Sequence, residues 1–419
     1  MIETKERPER MVLVAALGPG QNEADGNRSL DELERLTDTS GAVAVGRIMQ
    51  KREQISSGGT YLGKGKLEEL KELIWETEAD GVICDDELSP AELRNLTEIL
   101  GCKVVDRTML ILDIFAARAQ TSEGKIQVEL AMLRYQATRL VGLRRSLSRT
   151  GGGIGTRGPG EKKLEVDRRV IHERISVLKA ELKEVQARRE VNRARRMKNS
   201  VPVVAIVGYT NAGKSTLLNT LTGSGVYAED QLFATLDPTT RECKLEDGET
   251  VLFTDTVGLI NKLPHHLVEA FRSTLEEAAY ADVILHVADA SDPDLALHLR
   301  VVYDTLQSLG ISGKPVITVF NKMDLASPDA ILRDSEAEET FRISAKDGSG
   351  TKEVLEGVRR ILLRSKVYIN CVYPFEEAGK VALIHQYGQV LKEEYLPEGI
   401  RISAMVPAEW EGRVKTKES

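Results

Sequence analysis

The chain has 419 residues, 41% of them hydrophobic and 29% charged, with a formal net charge of −8 at pH 7. Such values describe an ordinary globular protein of about two to four domains. They exclude a small stapled scaffold and a globally basic nucleic-acid binder, so any basic surface must be local. The four cysteines, Cys84, Cys102, Cys243 and Cys371, lie far apart with no CxxC pair. That argues against a zinc site or a disulfide framework and fits a reducing compartment. No apolar run approaches the roughly 18 residues of a membrane span. The N-terminus (Lys5, Glu6, Arg7, Glu9, Arg10) is charged and lacks a signal-peptide core. A cytoplasmic protein without a membrane span, and a monomer, are expected.

In chain order, Met11–Leu17 reads as a strand, and Ser29 starts a helix with Leu30, Leu33 and Leu36 on one face. Ala42–Ile48 reads as a strand and Leu67–Glu78 as an amphipathic helix. Val82–Cys84, Ser89–Leu100 and Lys103–Val105 then give strand, helix and strand, with Ser89-Pro90 as cap and first helical residue. This alternation predicts a small α/β domain over residues 1–120.

Ile126, Leu130, Leu133, Ala137, Leu140 and Leu147 then step by three, four and seven. Leu164, Ile171, Ile175, Leu178, Leu182 and Val185 do so again. Two helices with narrow apolar seams follow, joined by Gly151–Gly160 as the tip of an antiparallel hairpin over residues 121–198. Inside that tip Gly153, Gly155 and Gly158 spell G-x-G-x-x-G. The dinucleotide reading of that motif requires a preceding strand in a βαβ unit, and here a helix precedes it, so the reading is rejected. The surroundings are basic instead. Arg134 to Lys198 holds 19 Lys and Arg against seven Asp and Glu, an excess of 12 in an acidic chain. Arg144, Arg145, Arg149, Arg157, Lys162 and Lys163 cluster at the tip, and Val185–Lys198 adds a second basic cluster near the base. Such charge neutralises nucleic-acid phosphates. No aromatic residue lies between Tyr135 and Tyr209, so contact by shape and backbone is expected rather than base stacking. Arg149, Gly153, Gly155, Arg157, Gly158, Lys162 and Lys163 are the RNA-contact candidates.

From 201 to 365 strands and helices alternate again, with strand-like runs at Val203–Val207, Val251–Thr254, Val283–Val287 and Val316–Phe320. After the first strand come Gly208, Tyr209, Thr210, Asn211, Ala212, Gly213, Lys214, Ser215 and Thr216, which match G-x-x-x-x-G-K-S between strand and helix. Glycines let backbone N–H groups curl around phosphates, Lys214 can reach the β- and γ-phosphate oxygens, and the Ser215 hydroxyl can ligate Mg²⁺. Asp255, Thr256, Val257 and Gly258 ("DTVG") end the next strand. Asp255 is expected to hold Mg²⁺ through water, and the Gly258 N–H to touch the γ-phosphate. Asn321, Lys322, Met323 and Asp324 ("NKMD") end another strand. The Asp324 carboxylate can accept from N1–H and N2–H₂ of guanine, whereas adenine would leave it unpaired. In "SAK" (Ser344, Ala345, Lys346) the Ala345 N–H can donate to guanine O6. In this order at strand ends, the segments predict a GTP/GDP site.

The stretch "FATLDPTTR" supplies Phe233, Ala234, Leu236 and Asp237 as nucleotide-side candidates. It also supplies Thr235, Thr239 and Thr240 as candidates to complete the Mg²⁺ shell, and position alone does not choose among the three. Leu259 stands where many GTPases carry a water-orienting glutamine, and a leucine cannot do this, so water must be positioned from elsewhere or with a partner's help. His265 and His266 read as surface residues at a helix start rather than as bases. Residues 366–419 read as strand (Val367–Tyr373), helix (Glu376–Gln386) and strand (Ile400–Val406).

The chain strongly resembles the HflX family of ribosome-associated GTPases over its first 365 or so residues. The resemblance rests on "GGGIGTRGPGE" with "LEVDRR", and on "FATLDPTTR" with "DTVGLI" and "LPHHLVEAFRSTLEE". Leu259 departs slightly, since many members carry phenylalanine there. The resemblance implies that Thr235 is the Mg²⁺-ligating switch threonine. It implies binding to the large ribosomal subunit and its RNA, with the hairpin tip near the peptidyl-transferase centre, and ribosome splitting under stress. The expected architecture is α/β: a P-loop GTPase domain with a doubly wound, mostly parallel sheet (201–365), an N-terminal α/β domain (1–120), the helical hairpin (121–198) and a small C-terminal α+β module (366–419). The expected catalytic groups are Lys214, Thr235 and Gly258. Two rival readings are a GTPase of large-subunit assembly and an RNA-binding module with GTP as a structural ligand.

Overall fold

The computed structural model describes residues 7–51, 59–150, 159–198, 201–223, 232–233, 235–245, 248–262, 275, 277–364 and 366–415, with backbone alone for 141–150, 159–165, 190–198, 389 and 409. The glycine tip with Gly153, Gly155, Arg157 and Gly158, as well as Ala234, His265 and His266, lies outside the described residues. So do the side chains of Arg149, Lys162 and Lys163. The chain forms two compact units. One comprises Met1–Lys183, Glu229–Asp237 and Asn261–Arg272, and the other Glu184–Ala228, Pro238–Ile260 and Ser273–Ser419.

In the first unit β1 (Arg10–Leu17), β2 (Val43–Lys51), β3 (Gly81–Cys84) and β4 (Lys103–Asp106) form a parallel sheet in the order β2-β1-β3-β4. Val12, Val14, Val82 and Cys84 of the sheet pack with Leu67 and Leu70 of α2 (Lys64–Glu76) and Leu96 of α3 (Pro90–Leu100). The first helix, α1 (Glu23–Thr39), begins six residues before the expected Ser29. Asn22 and Asp25 form a capping box there: the Asn22 side chain accepts from Asp25 N at 2.9 Å, and the Asp25 carboxylate accepts from Asn22 N at 3.0 Å. α3 starts as expected at Ser89-Pro90 and stops at Gly101, whose φ of 66° suits glycine.

A fourth helix, α4 (Arg107–Arg118), was not anticipated. Its Leu110, Ile111, Leu112, Ile114 and Phe115 are buried and make a nearly continuous apolar run, which masks the helical period, and only Asp113, Ala116 and Ala117 are exposed. The hairpin helices follow as α5 (Ser122–Thr150) and α6 (Pro159–Lys198). Leu130, Ile175 and Leu178 are buried in their seam, with Ile126, Leu133, Ile171 and Leu182 alongside. Arg174 spans to Glu129 at 2.7 and 2.9 Å across the two helices. Beyond Lys183, α6 belongs to the second unit, where Arg189 pairs with Glu277 at 2.8 Å.

The second unit holds a six-stranded sheet of β5 (Val203–Gly208), β6 (Thr239–Lys244), β7 (Thr250–Asp255), β8 (Val283–Asp289), β9 (Val316–Asn321) and β10 (Glu339–Arg342). Its order is β10-β9-β8-β5-β7-β6, parallel except for β6, which runs antiparallel to β7. β6 was not expected because "TTRECK" is a half-exposed edge strand with a single buried residue, Cys243. Val204, Ile206, Phe253, Leu285, Ile317 and Val319 form the sheet's core with Leu217, Leu218 and Leu221 of α7 (Lys214–Thr222). The flanking helices α8 (Leu295–Ser308) and α9 (Thr351–Arg364) complete the wrap. The C-terminal module is an antiparallel sheet of β11 (Lys366–Tyr373), β12 (Gln389–Leu396) and β13 (Gly399–Pro407), ordered β11-β13-β12, with α10 (Ala378–Tyr387) packed on it. β12 adds a strand to the predicted strand–helix–strand.

Among the described residues no helix is long and apolar enough to cross a membrane. All four cysteines are free, Cys84 and Cys243 buried and Cys102 and Cys371 half-buried.

Candidate functional site

β5 is flanked by β7 on one side and β8 on the other, the point where the strand order reverses. In open α/β sheets such a reversal opens a crevice beyond the carboxyl ends of the strands. The Gly208–Thr216 loop leaves β5 there and leads into α7. Asn211 takes φ 60° and Gly213 φ 92°, and these left-handed residues curl the loop. A Cβ at Gly213 would lie 2.2 Å from Asn321 Nδ2, so only glycine fits. Asn321 is the tie beneath the loop. Its Nδ2 donates to Ala212 O at 2.9 Å, and its Oδ1 accepts from Ala345 N at 2.9 Å. The Ala345 N–H, expected on guanine O6, thus serves Asn321 in this structure. Asn321 ends β9, so one side chain ties the phosphate loop to the NKMD and SAK segments.

Lys214 is 6% exposed, and its Nζ donates to Tyr209 O at 2.8 Å. Burial drives its pKa down to about 8, only partly opposed by the nearby Asp255 carboxylate. The Ser215 hydroxyl donates to Asp255 Oδ2 at 2.7 Å, and Asp255 is fully buried at the end of β7. A hydroxyl beside a single carboxylate is a hard-oxygen donor set, suited to a cation that takes its remaining ligands from phosphates and water. These two residues therefore fit Mg²⁺. Thr256 is buried and its hydroxyl donates to Ile206 O at 2.8 Å, while the buried Val257 packs inward. A Cβ at Gly258 would lie 2.8 Å from Thr210 Cγ2 and 3.1 Å from Lys214 Nζ. Glycine thus lets that backbone lie against the phosphate loop.

Leu259 is 1% exposed, and its backbone bonds to the loop: its N donates to Gly208 O at 3.1 Å and its O accepts from Thr210 N at 2.8 Å. Its side chain is core, in keeping with the missing glutamine. Two contacts at the site escaped sequence reasoning. His298 of α8 stacks on Tyr209, centroids 3.7 Å apart and planes 14° apart. Lys322, at φ 63°, pairs with Asp289 at 2.8 Å at the end of β8. Asp324 is exposed, Met323 half-buried and Ser344 buried beside them.

The three candidate threonines separate. Thr239 and Thr240 lie in β6, opposite Asp255 and Thr254, and the Thr240 hydroxyl lies 2.9 Å from that of Thr254. Thr235 lies outside any strand, in the segment Glu229–Asp237 that belongs to the first unit. There Phe233 and Leu236 are buried. Asp237, grouped above with nucleotide-side residues, instead accepts hydrogen bonds from Gln120 N and Thr121 N, each at 2.9 Å, and from the Thr121 hydroxyl.

Residues 27–116 match the family described as GTP-binding GTPase N-terminal, residues 118–196 the GTP-binding GTPase middle region, and residues 203–322 the 50S ribosome-binding GTPase family. The chain is similar to GTPase HflX of Lacrimispora saccharolytica, 61% identical over 98% of this chain and 96% of that protein. It is similar to GTPase HflX of Caldanaerobacter subterraneus subsp. tengcongensis, at 48% over 99% of this chain and 95% of that protein. The Escherichia coli K12 GTPase HflX is 42% identical over 90% of this chain and 89% of that protein. With the phosphate loop, the DTVG turn and the NKMD and SAK segments at the strand ends of a P-loop GTPase sheet, this chain belongs to the HflX family of GTPases.

Proposed function

We propose that this GTPase is Mg²⁺-dependent, that its GTP state binds the large ribosomal subunit through the basic hairpin, and that this binding splits ribosomes under stress. The observation that carries the chemistry is the buried Lys214, whose lowered pKa marks an ammonium that burial disfavours. The β- and γ-phosphates of a nucleotide supply the negative charge that makes its charged form favourable. Ser215 and Asp255 hold Mg²⁺, Asp255 through water, and Thr235 joins them in the triphosphate state. The position of Thr239 and Thr240 in β6 supports that choice. Mg²⁺, when bound, neutralises the charge that develops on the phosphate oxygens. Lys214 and the Gly258 N–H stabilise the same charge from the protein side. Asp324 reads N1–H and N2–H₂ of guanine. With an apolar Leu259 in place of glutamine, the attacking water needs help from the ribosome, so turnover is slow in isolation.

The family match over residues 203–322 and the excess of 12 positive charges over Arg134–Lys198 support the ribosomal partner. Two measurements test the reading together. Phosphate release should rise when ribosomes are added, and sucrose gradients should show 70S particles converted to subunits with GTP present. Stimulated release with intact 70S particles points to an assembly role instead. Absence of release in both conditions points to GTP as a structural ligand.

A further inference from the structure

The segment carrying Thr235 is fastened on both sides of that residue. Upstream, Phe233 is 2% exposed and stands edge-on to Phe115 of α4, ring centroids 4.7 Å apart. Its φ of 56° is a left-handed conformation uncommon for a bulky residue. Downstream, the Asp237 carboxylate takes the Gln120 and Thr121 N–H groups and the Thr121 hydroxyl. Thr121 caps α5, its Oγ1 accepting from Gly124 N at 3.0 Å. Asp237 therefore seats a negative charge on the N-terminus of the helix that leads toward the glycine tip, where the helix dipole favours it. The first turn leaves room for it: a Cβ at Gly124 would lie 2.4 Å from Asp237 Oδ1. On its other side the chain passes through Pro238 into β6, where Thr239 is the register partner of Asp255. Asp237 is thus two residues from Thr235 and two from the strand position opposite Asp255.

We propose that Asp237 is a positioning residue for the triphosphate state: it latches the Thr235 segment to the first turn of α5, so that the switch threonine and the hairpin helix respond to the nucleotide together. The proposal rests on the reading of Thr235 as a Mg²⁺ ligand. A segment held at both flanks loses less conformational freedom when its threonine engages Mg²⁺ and the γ-phosphate. A diphosphate makes no such demand, so the latch acts on GTP and not on GDP. Coupling between two sites is reciprocal, so the triphosphate must also tighten the start of α5.

The test uses the full chain with Mg²⁺ and measures affinity for a non-hydrolysable GTP analogue and for GDP. Asp237→Asn removes the negative charge at the N-terminus of α5 and turns one of the two acceptor oxygens into an NH₂ donor, and should weaken the analogue about tenfold while GDP changes by less than about twofold. Gly124→Ala should act in the same direction by displacing the carboxylate. Alanine favours helix over glycine, so a weakened α5 would not explain that result. Hydrogen exchange at residues 121–128 should be slower with the analogue than with GDP in the wild type, and equal with both in either variant. Thr235→Ala should lower analogue affinity, and adding Asp237→Asn to it should cost nothing further. Wild-type affinity ratios in Asp237→Asn and Gly124→Ala, with Thr235→Ala still impaired, overturn the latch. An unimpaired Thr235→Ala overturns the reading of Thr235 on which the latch rests.

Discussion

The parallel four-stranded sheet and the mostly parallel six-stranded sheet both gather polar groups at the carboxyl ends of their strands, and the two sets have opposite fates. In the N-terminal sheet Asp85 follows β3 and Asp106 ends β4, both 1% exposed. Asp85 takes Arg107 at 2.8 Å, the Ser29 hydroxyl at 2.6 Å, and Lys262. Arg107, itself 2% exposed, also pairs with Glu32 and donates to Asn261 O at 3.3 Å. Asp106 takes Leu88 N at 3.0 Å, the Tyr135 hydroxyl at 2.6 Å, and Arg139. Burial opposes the charge on Asp85, but Arg107 and Lys262 outweigh it and hold the carboxyl below its usual range. In the six-stranded sheet the same ends carry a glycine loop, the buried Lys214 and the exposed carboxylate of Asp324. Strand-end carboxylates in an α/β sheet are thus no sign of a site by themselves. What distinguishes a site is whether the protein's own cations already satisfy them.

Arg107→Met breaks the comparison from the N-terminal side and should have the largest effect. It removes Arg107 from Glu32 and leaves Asp85 with Lys262 and the Ser29 hydroxyl, a cost of about 3–5 kcal/mol for a buried pair. Denaturant unfolding of the full chain should show a destabilised transition, while the protein that stays native keeps its GDP affinity. Wild-type stability would mean that the cluster is not structural. Lys214→Ala attacks the other sheet and should weaken GTP by about 100-fold, or about 3 kcal/mol, read by calorimetric titration. The stability of the protein without nucleotide should change little or increase, because a buried cation is removed.

Asp324→Asn should leave the fold intact, since the residue is exposed. Xanthine carries a carbonyl at C2 to which the asparagine NH₂ can donate. Preference should move from GTP toward xanthosine triphosphate by about 30-fold, or about 2 kcal/mol. A variant that still prefers GTP removes Asp324 from base recognition.

The smallest effect concerns His286 in β8, 1% exposed. Burial pushes its pKa down to about 4, with the charge of Lys214 acting in the same direction and that of Asp334 against it. Its Nδ1 lies 4.0 Å from Asp334 Oδ2, which accepts from the Tyr303 hydroxyl at 2.8 Å and the Thr318 hydroxyl at 2.6 Å. A depressed folded pKa means that the unfolded chain binds the proton first. Stability from this group is therefore complete above the unfolded value near 6.5 and falls as pH drops toward 4. Between pH 7 and pH 5.5 the loss should be about 1 kcal/mol. His286→Gln should flatten that part of the denaturation profile, and an unchanged slope would place the acid sensitivity elsewhere.

The phosphate loop, DTVG, NKMD and SAK were legible because each works through local backbone geometry at a strand end, and spacing within a few residues encodes it. The seam residues of α5 and α6 were legible for the same reason, since a helical period is local. The start of α1 was legible in principle, because N-x-x-D at Asn22–Asp25 is a capping signature. β6 and β12 were not legible, because TTRECK and QVLKEEYL are rich in polar residues and show no apolar alternation, so these two edge strands owe their conformation to a neighbour's hydrogen bonds. Nor was α4, whose nearly continuous apolar run masks its period. Long-range pairings were decided by the tertiary structure alone: Asn321 beneath Ala212, His298 on Tyr209, Asp237 on Thr121, and Arg107 among Glu32, Asp85 and Asn261. These partners lie 75 to 154 residues apart, except Asp85, which is 22 residues from Arg107. Nothing in a short window of sequence says which strand ends will meet, so the partner of a buried charge is known only once the sheet order is set.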